Sequence, residues 1–400
     1  MTLPVLIVGA TSGTPHGRHA LGRMVADATV RGIPVVGLDT PDALRGAWRP
    51  DGLLDVAAVD WHDNAALAAW ADERRGRFAG VLTHRERCVL PTALLAGFLG
   101  LPGNHPDAVR AMQDKARCRS MLAGAGLPQP RLLRWDEPVE TAAHRVVDAL
   151  GEGPWVVKPR VGMGSAGVLV VERAGGIAAA ISRSRAYGEV LVEQYVNGDE
   201  FSCEGVFLGG APRILSLTAK QIDSRCVETG HRIPAGLAPG VRHELEEALT
   251  LAFRTLGVAH GLFHVEFWVG DGLTLGELHA RPGGDFIHAL VEASRPGLGL
   301  FGLLLDDLLG RHPIRIPPQM RAAGSQYLTF PSGVLRQGPN WEEATRGLLA
   351  AEMLVGPGAV LSPPLSSEGR HAVIVADGDT LADVEKAFQL AIASLRVEIA

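Results

Sequence analysis

The hydrophobic positions in the first part of the chain form short apolar runs, separated by segments with helical spacing. Runs rich in β-branched residues occupy 3–10 (LPVLIVGA), 33–39 (IPVVGLD) and 78–84 (FAGVLTH), and residues 18–32 have helical periodicity. Strands that alternate with helices predict a parallel sheet with helices on both faces. We therefore expect a small, doubly wound α/β domain at the start of the chain, over about 110 residues.

The pattern then changes to one long helix followed by a hairpin. Residues 103–131 predict a single capped helix, which begins after Pro106 and is closed by glycines and prolines. The apolar runs at 154–160 (PWVVKPR) and 168–173 (VLVVER) predict two antiparallel strands. The glycine-rich stretch at 161–167 (VGMGSAG) joins them as a long, flexible loop.

The rest of the chain alternates strands with turns and ends in a mixed segment. Residues 189–210 predict two strands around the turn NGDE, and residues 262–284 predict a hairpin around the turn GDG. The segment 318–400 predicts strands near 372–376 and a helix near 380–395, packed as a small α/β lobe.

Composition narrows the class of protein. The 400 residues are 46% hydrophobic and 20% charged, which predicts two or three ordered domains. The net charge of −6 provides no basic surface for nucleic acid. No apolar run approaches the roughly 20 residues of a membrane span, and the N-terminal segment lacks a secretory pattern. We expect a cytoplasmic protein that binds neither nucleic acid nor membrane, with a homodimer as the default assembly.

The cysteines carry no metal-binding signal. Cys88, Cys118, Cys203 and Cys226 are scattered along the chain without a CxxC pair. Zinc sites use closely spaced pairs of ligands, so this arrangement does not favour one. We expect reduced and mostly buried thiols.

One loop has a partial likeness to a dinucleotide-binding motif. The stretch VGATSGTPHG (8–17) follows a predicted strand and precedes a helix, but its glycines lack the G-x-G-x-x-G spacing. A plain turn of the doubly wound domain is the favoured interpretation, and a small-molecule role is the alternative. The hypothesis of an NAD-dependent dehydrogenase would rest on this loop alone.

Two segments carry candidate phosphate-binding residues. Lys158 ends a predicted strand, and Gly162, Gly164 and Gly167 follow it in the loop. Glycines let backbone N–H groups approach a phosphate closely, and a lysine adds positive charge. The segment lacks the P-loop motif, so an ordinary surface hairpin stays open. Lys115, in the upstream helix, is by itself an ordinary solvated charge.

Acidic residues stand on the later strands. Glu193 and Glu200 flank the NGD turn, where carboxylates can bind ribose hydroxyls or simply face solvent. Glu266 and Glu277 can lie side by side across the GDG hairpin. Facing carboxylates repel unless a cation lies between them, and hard oxygen ligands suit Mg²⁺. Arg281, beyond Glu277 on the same face, can bind a phosphate or carboxylate with two hydrogen bonds. The alternative is an exposed strand face.

In this order, these residues resemble the pattern of the ATP-grasp superfamily, and the resemblance covers most of the chain. The segments ETGHRIPA (228–235) and ELHARPGGD (277–285) are similar to the carboxylate–amine ligases that include L-amino-acid (dipeptide) ligases. The resemblance implies α+β architecture in the ATP-grasp part. It divides the chain into a doubly wound N-terminal domain at 1–110, an ATP-grasp domain at 111–317 with its lid at about 130–195, and a C-terminal lobe at 318–400.

The resemblance also implies which residues bind ATP. Lysines and the glycine loop would contact the phosphates, and the segment after them would form the adenine hinge and contact the ribose. The residues at matching positions are Lys115, Lys158, Gly162, Gly164, Ser165, Gly167, Glu193, Gln194, Val196 and Glu200.

The remaining implied roles concern metal and substrates. Glu266 and Glu277 would ligate two Mg²⁺ ions, and Arg281 would stabilise the acyl phosphate and the tetrahedral intermediate. The acceptor substrate would be bound by Glu228 and His231, and backbone amides at Gly283 and Gly284 would approach the carboxylate substrate.

One position departs from the family pattern. The pattern reads Glu-x-Asn-x-Arg, and this chain has His279 where the family has Asn. An imidazole is a softer ligand, better matched to Mn²⁺ or Zn²⁺ than to Mg²⁺. Either His279 ligates and relaxes the metal preference, or it turns aside and a water or phosphate oxygen takes its place. The second interpretation is favoured, because Mg²⁺ readily keeps waters.

The resemblance therefore implies an ATP-dependent carboxylate–amine ligase. It would join amino-acid-like substrates through an acyl phosphate and release ADP and phosphate, with cations placed around the transferred phosphoryl group. The alternatives are a purine-pathway or carboxylase-like ATP-grasp enzyme that uses bicarbonate or formate, and an ATP-binding protein without ligase activity.

Overall fold

The computed structural model describes residues 2–46, 48–223 and 227–400. Its first unit is a parallel sheet in the order β3-β2-β1-β4. The strands are β1 (Val5–Val8), β2 (Val35–Asp39), β3 (Leu53–Ala58) and β4 (Gly80–Leu82). The helices of this unit are α1 (Pro15–Val30), α2 (Pro41–Leu44), α3 (Asn64–Asp72) and α4 (Val89–Leu99).

Strand β1 shows why this sheet is covered on both faces. Successive side chains of a strand point to opposite faces. Val5 and Ile7 belong to a core that includes residues of α1, whereas Leu6 and Val8 belong to a core that includes residues of α3 and α4. The predicted doubly wound parallel sheet is confirmed.

The predicted long helix after residue 103 is wrong in one respect. Two helices occupy the segment, α5 (Pro106–Gln113) and α6 (Lys115–Gly124). Asp114 takes an extended conformation between them, and its carboxylate accepts a hydrogen bond from the backbone N–H of Arg117. An aspartate in this position caps the second helix. Lys115 is therefore the first residue of α6 rather than an interior helical residue.

The next unit is a four-stranded antiparallel sheet in the order β5-β8-β6-β7. Helices α7 (Ala142–Leu150) and α8 (Ile177–Ser184) share one hydrophobic core with it. The predicted hairpin around the glycine-rich loop is present, because β6 and β7 pair antiparallel. The strands are β5 (Leu132–Trp135), β6 (Trp155–Pro159), β7 (Leu169–Val171) and β8 (Val190–Gln194).

An eight-stranded antiparallel sheet forms the largest layer, in the order β13-β12-β9-β10-β11-β14-β18-β16. Its first five strands in the chain are β9 (Asp199–Leu208), β10 (Ala211–Ile222), β11 (Glu228–Ile233), β12 (Leu262–Val269) and β13 (Leu273–His279). The predicted hairpin of β12 and β13 is present. The two strands predicted in 189–210 are also present, but β8 and β9 belong to different sheets.

The C-terminal segment contains the predicted strand and helix, β18 and α13 (Leu381–Ser394), and its sheet is continuous with the large one. Strands β14 (Ala322–Leu328), β16 (Ala350–Met353) and β18 (Ala372–Gly378) extend the large sheet, because β14 pairs antiparallel with β11. A small sheet lies beside them, with β15 (Gly333–Gln337), β17 (Val360–Leu361) and β19 (Glu398–Ile399).

The remaining helices are α9 (Pro239–Leu256), α10 (Ile287–Ser294), α11 (Leu300–Leu308), α12 (Trp341–Ala344) and α13 (Leu381–Ser394). None of the helices in the described ranges is long and apolar enough to cross a bilayer. Cys88, Cys118 and Cys203 are buried and free, as predicted, and Cys226 lies outside the described residues.

Candidate active site

A cavity of about 1660 Å³ is lined by the parallel sheet's loops, the four-stranded sheet and the large sheet. With one exception, every candidate residue named from the sequence lines it. The exception is Gly167, which is packed beneath the loop: a Cβ there would lie 2.6 Å from the Tyr187 ring, and its φ of +74° favours glycine. The sequence therefore identified residues that converge in space.

Lys158 and Glu193 form a buried pair at one end of the cavity. They lie on adjacent strands, β6 and β8, with 2.8 Å between Nζ and the carboxylate. Arg119 of α6 approaches the other Glu193 oxygen at 2.7 Å. Burial opposes ionisation of Glu193, but the two cations outweigh it and lower its pKa to about 2. Burial also lowers the pKa of Lys158.

Lys115 connects the glycine loop to the β12–β13 hairpin. Its Nζ lies 3.3 Å from Glu277 and donates to the carbonyl of Gly162 at 3.0 Å. The same loop meets the C-terminal segment, where the N–H of Ser367 donates to the carbonyl of Gly164 at 3.3 Å. Because Lys115 begins α6, its side chain starts at the cavity wall rather than on the outer face of a long helix.

Lys220, on β10, lies among three carboxylates from neighbouring strands. Its Nζ is 2.5 Å from Glu200 on β9, 2.6 Å from Glu228 on β11 and 2.9 Å from Glu266 on β12. The Lys220 side chain is only 2% exposed. The carboxylates outweigh the effect of burial and raise the pKa of Lys220 well above its usual value.

The three carboxylates respond differently to this shared cation. Burial opposes ionisation at each of them, but Lys220 lowers the pKa of Glu228 to about 2 and, together with His264, holds that of Glu266 well below its usual range. For Glu200, burial prevails and its pKa is raised. Glu200 is therefore the acid of this cluster whose ionised form is least stabilised. The three carboxylates also come close enough together to share a metal ion.

The hairpin brings Glu266 and Glu277 to the same part of the cavity. Val265 pairs with Leu278 and Phe267 with Leu275, so Glu266 lies opposite the bulged pair Gly276 and Glu277. Two imidazoles lie between the carboxylates. His264 Nε2 is 3.9 Å from Glu266, His279 Nε2 is 3.8 Å from Glu277, and the two rings stack with centroids 5.7 Å apart.

Glu86, which follows β4, joins the first domain to the hairpin. One of its carboxylate oxygens lies 2.9 Å from His279 Nδ1 and accepts a hydrogen bond from Arg281 Nε at 2.8 Å. Gln113 donates to the other oxygen at 3.0 Å. Burial opposes ionisation, but His279 and Arg281 hold the pKa of Glu86 well below its usual range.

A second buried ion pair, Arg370 with Asp285, lines the same cavity. Arg370 binds both carboxylate oxygens of Asp285, at 2.6 and 2.8 Å, and its guanidinium lies 3.5 Å from the centre of the Tyr327 ring. Asp285 and Phe286 have φ angles of 51° and 64°, which are uncommon for residues with a side chain. His231 lies on β11 nearby, and its ring, together with Asp285 and Glu228, could hold a metal ion.

Residues 12–17 line this cavity; they end the stretch 8–17, for which a plain turn is the favoured interpretation, and include the start of α1. Facing the same space are His16, His84 and His288. Burial lowers the pKa of all three, that of His84 to about 3. Within the described part of the chain, neither ring nitrogen of His84 has a hydrogen-bond partner. Burial therefore disfavours the charged form of these three imidazoles in the cavity wall.

Several of these residues were not identified from the sequence: Arg119, Lys220, Glu86, Asp285, Arg370, Tyr327 and the cavity histidines. One signal could have found Lys220. The chain contains only four lysines, and three of them, Lys115, Lys158 and Lys220, line this cavity. The others have no comparable pattern, because they reach the cavity from helices, strands and loops that are far apart in the sequence.

Comparison with known proteins identifies the family of this chain. Residues 152–289 match the ATP-grasp domain, and residues 326–400 match the L-amino acid ligase C-terminal domain 2. D-alanine--D-alanine ligase B of Chromobacterium violaceum is 31% identical over 212 residues, which are 50% of this chain and 68% of that protein. The chain belongs to the ATP-grasp superfamily, in its carboxylate–amine ligase branch. It is an ADP-forming ligase that makes carbon–nitrogen bonds.

Two further similarities lie within that branch. Carnosine synthase 1 of Homo sapiens is 28% identical over 297 residues, which are 66% of this chain but only 34% of that longer protein. An L-amino acid ligase from Bacillus licheniformis shares the whole fold, with a TM-score of 0.81 and 21% identity over 100% of this chain and 99% of that one. ATP-grasp enzymes use ATP and Mg²⁺.

Proposed function

We propose that this protein joins two amino-acid-like substrates, activating the carboxylate of one as an acyl phosphate and releasing ADP and phosphate. The observation that carries the proposal is the single cavity. It combines the ATP-grasp lysines and glycine loop with Arg281, and it extends to Arg370 in the segment that matches an L-amino acid ligase domain. A cavity of about 1660 Å³ has room for a nucleotide and two small substrates.

The nucleotide would lie between the four-stranded sheet and the large sheet. Lys115, Lys158 and the loop with Gly162, Gly164 and Ser165 would contact its phosphates. The hinge residues Glu193, Gln194 and Val196 would face the adenine, and Glu200 the ribose. The Glu193 carboxylate, 2.8 Å from the Lys158 Nζ, holds that side chain in place. The glycine loop would exclude water from the reactive acyl group.

The carboxylates of the hairpin fit a divalent metal. Glu266 and Glu277 supply hard oxygen ligands, as Mg²⁺ requires, and the three carboxylates around Lys220 come close enough together to share a metal ion. Two ions held by these carboxylates would neutralise the charge on the phosphates. This chain's own contribution is the fixed position of both carboxylates, one on each strand of the hairpin.

The part of the cavity near Arg281 would bind the substrates through charged side chains and backbone N–H groups. Arg281, oriented by Glu86, would stabilise negative charge on the acyl group and on the tetrahedral intermediate. Glu228 and His231 would bind the amine substrate, since an ionised carboxylate suits an ammonium group. Backbone N–H groups at Gly283 and Gly284 would approach the carboxylate substrate.

The test is a screen for ADP release over pairs of amino acids and related carboxylates, with products identified by mass spectrometry. We expect an ADP signal that needs both substrates, and a product whose mass is the sum of the two minus water. Release of AMP and pyrophosphate, or no turnover with any pair, would contradict the proposal. Incorporation of labelled bicarbonate or formate would favour the alternative enzymes instead. Light scattering on the purified protein tests the proposed homodimer.

A further inference from the structure

His279 lies between Glu86 and Glu277 in the cavity. It stands two residues after Glu277 on β13, so the two side chains lie on the same face of the strand. Its side chain is only 12% exposed. One ring nitrogen faces Glu86 and the other faces Glu277, so the ring has not turned away from the predicted metal ligands.

The two contacts of the ring differ in kind. Nδ1 lies 2.9 Å from Glu86, which is a hydrogen bond, and an ionised carboxylate can only accept it. Nδ1 therefore carries the proton. Nε2 lies 3.8 Å from Glu277, which is too long for a hydrogen bond. In the neutral ring, the Nε2 lone pair then faces the Glu277 carboxylate with no proton between them.

This is the arrangement that metal-binding histidines show. Such a histidine donates its second ring N–H to a carboxylate, which fixes the tautomer and the orientation of the ring, and loss of that partner costs about 10- to 100-fold in metal affinity. Glu86 fills the partner's role here. The position of Glu86 is itself fixed by Arg281 and Gln113, so the imidazole is held from the side opposite to Glu277.

We propose that His279 Nε2 is a metal ligand beside Glu277, and that Glu86 is the positioning residue that makes it one. The site would then select Mn²⁺ over Mg²⁺ more strongly than a site with oxygen ligands alone, because an imidazole nitrogen is a softer ligand. The inference rests on the proposed function only in that a divalent metal binds together with the nucleotide. It does not depend on which substrates are joined.

The experiment detects the nitrogen ligand directly. Mn²⁺ is bound to the whole protein in the presence of the β,γ-methylene analogue of ATP, which contributes no nitrogen in its phosphate chain, and pulsed electron paramagnetic resonance measures coupling to ¹⁴N. We expect a ¹⁴N coupling in the wild type and its loss in His279→Asn. His243→Asn, which alters a histidine whose side chain is 79% exposed on α9, is the matched control and should keep the coupling.

Affinities supply the second readout. Mn²⁺ affinity is measured from the paramagnetic resonance signal of the free ion, and Mg²⁺ affinity from its competition with Mn²⁺ for the protein. We expect His279→Asn to weaken Mn²⁺ binding about tenfold and Mg²⁺ binding less than twofold, so the selectivity ratio falls. Glu86→Gln should lower the same ratio, with circular dichroism showing a retained fold; a merely structural role would weaken both metals equally.

Two results would overturn the inference: a wild type without ¹⁴N coupling, or a coupling that persists in His279→Asn. Neither depends on ligase turnover. A protein that binds Mn²⁺ through His279 but joins no amino acids would refute the proposed function and leave this inference standing.

Discussion

Replacing Lys220 by methionine tests the view that one buried cation holds three carboxylates together. Methionine keeps most of the volume and the apolar stem but removes the charge. Glu200, Glu228 and Glu266 would then face one another in a largely buried cluster. Removing one partner of a buried ion pair costs about 3–5 kcal/mol, because the remaining charge is left uncompensated.

The structure supports a magnitude of the same order. Burial opposes ionisation of Glu228, but Lys220 and His231 together lower its pKa from 4.5 to about 2. At about 1.4 kcal/mol for each pKa unit, that shift corresponds to roughly 3 kcal/mol of stability. Because the folded-state pKa is depressed, this stability is fully present above pH 4.5 and is lost as the pH falls towards 2. We therefore expect Lys220→Met to lose about 3 kcal/mol of unfolding free energy at pH 8.

The pH dependence makes the prediction specific. Without Lys220, the three acids raise one another's pKa values, so protonation relieves the repulsion as the pH falls from 8 to 5.5. The measurement is urea unfolding followed by circular dichroism at both pH values, with Lys386→Met as control, since Lys386 is exposed on α13. Adding Glu200→Gln should restore part of the lost stability. A loss below 1 kcal/mol at pH 8, or a loss independent of pH, would refute the reasoning.

Three further predictions follow from other contacts. Glu277→Ala and Arg281→Ala should each abolish ADP formation with retained circular dichroism, because one removes a proposed metal ligand and the other the cation for the acyl group; retained turnover would contradict the site. Arg370→Met should cost about 3–5 kcal/mol of unfolding free energy in urea, because Asp285 would stay buried without its partner, and adding Asp285→Asn should recover part of that loss. A Cys226→Ser variant should react slowly with a thiol reagent at pH 8 when native and rapidly in urea. The reason is that Cys88, Cys118 and Cys203 are buried and burial raises the pKa of each thiol. Fast labelling of the native variant would disprove this.

Most helices and strands could be predicted from the sequence, because the apolar spacing and turn residues that define each one lie close together in the chain. The strand with Lys158, its glycine loop and the β12–β13 hairpin each lie within about 25 consecutive residues, so spacing and turn residues suffice to place them. The break between α5 and α6 was missed because Asp114 reads equally well as a helical residue and as a cap. Only its extended backbone distinguishes the two.

The missed site residues share a different cause. Glu86 meets His279 across 193 positions of sequence, and Arg370 meets Asp285 across 85. Such contacts depend on how sheets and loops are arranged, which a single sequence does not encode in any short pattern. The pairing of the C-terminal strands with the large sheet was not predicted for the same reason, since β11 and β14 are distant in the sequence.

Because lysine is scarce in this chain, amine-reactive labelling can distinguish its lysines by their exposure. Lys115, Lys158 and Lys220 are enclosed, with 11%, 7% and 2% of their side chains exposed, whereas Lys386 faces solvent. Among the four lysines, an amine-reactive label should therefore modify Lys386 first, which provides a site for a fluorescent or immobilisation tag outside the cavity. Under stronger labelling, mass spectrometry can measure how far the nucleotide protects each of the three other lysines from modification. This measurement requires no knowledge of the substrates.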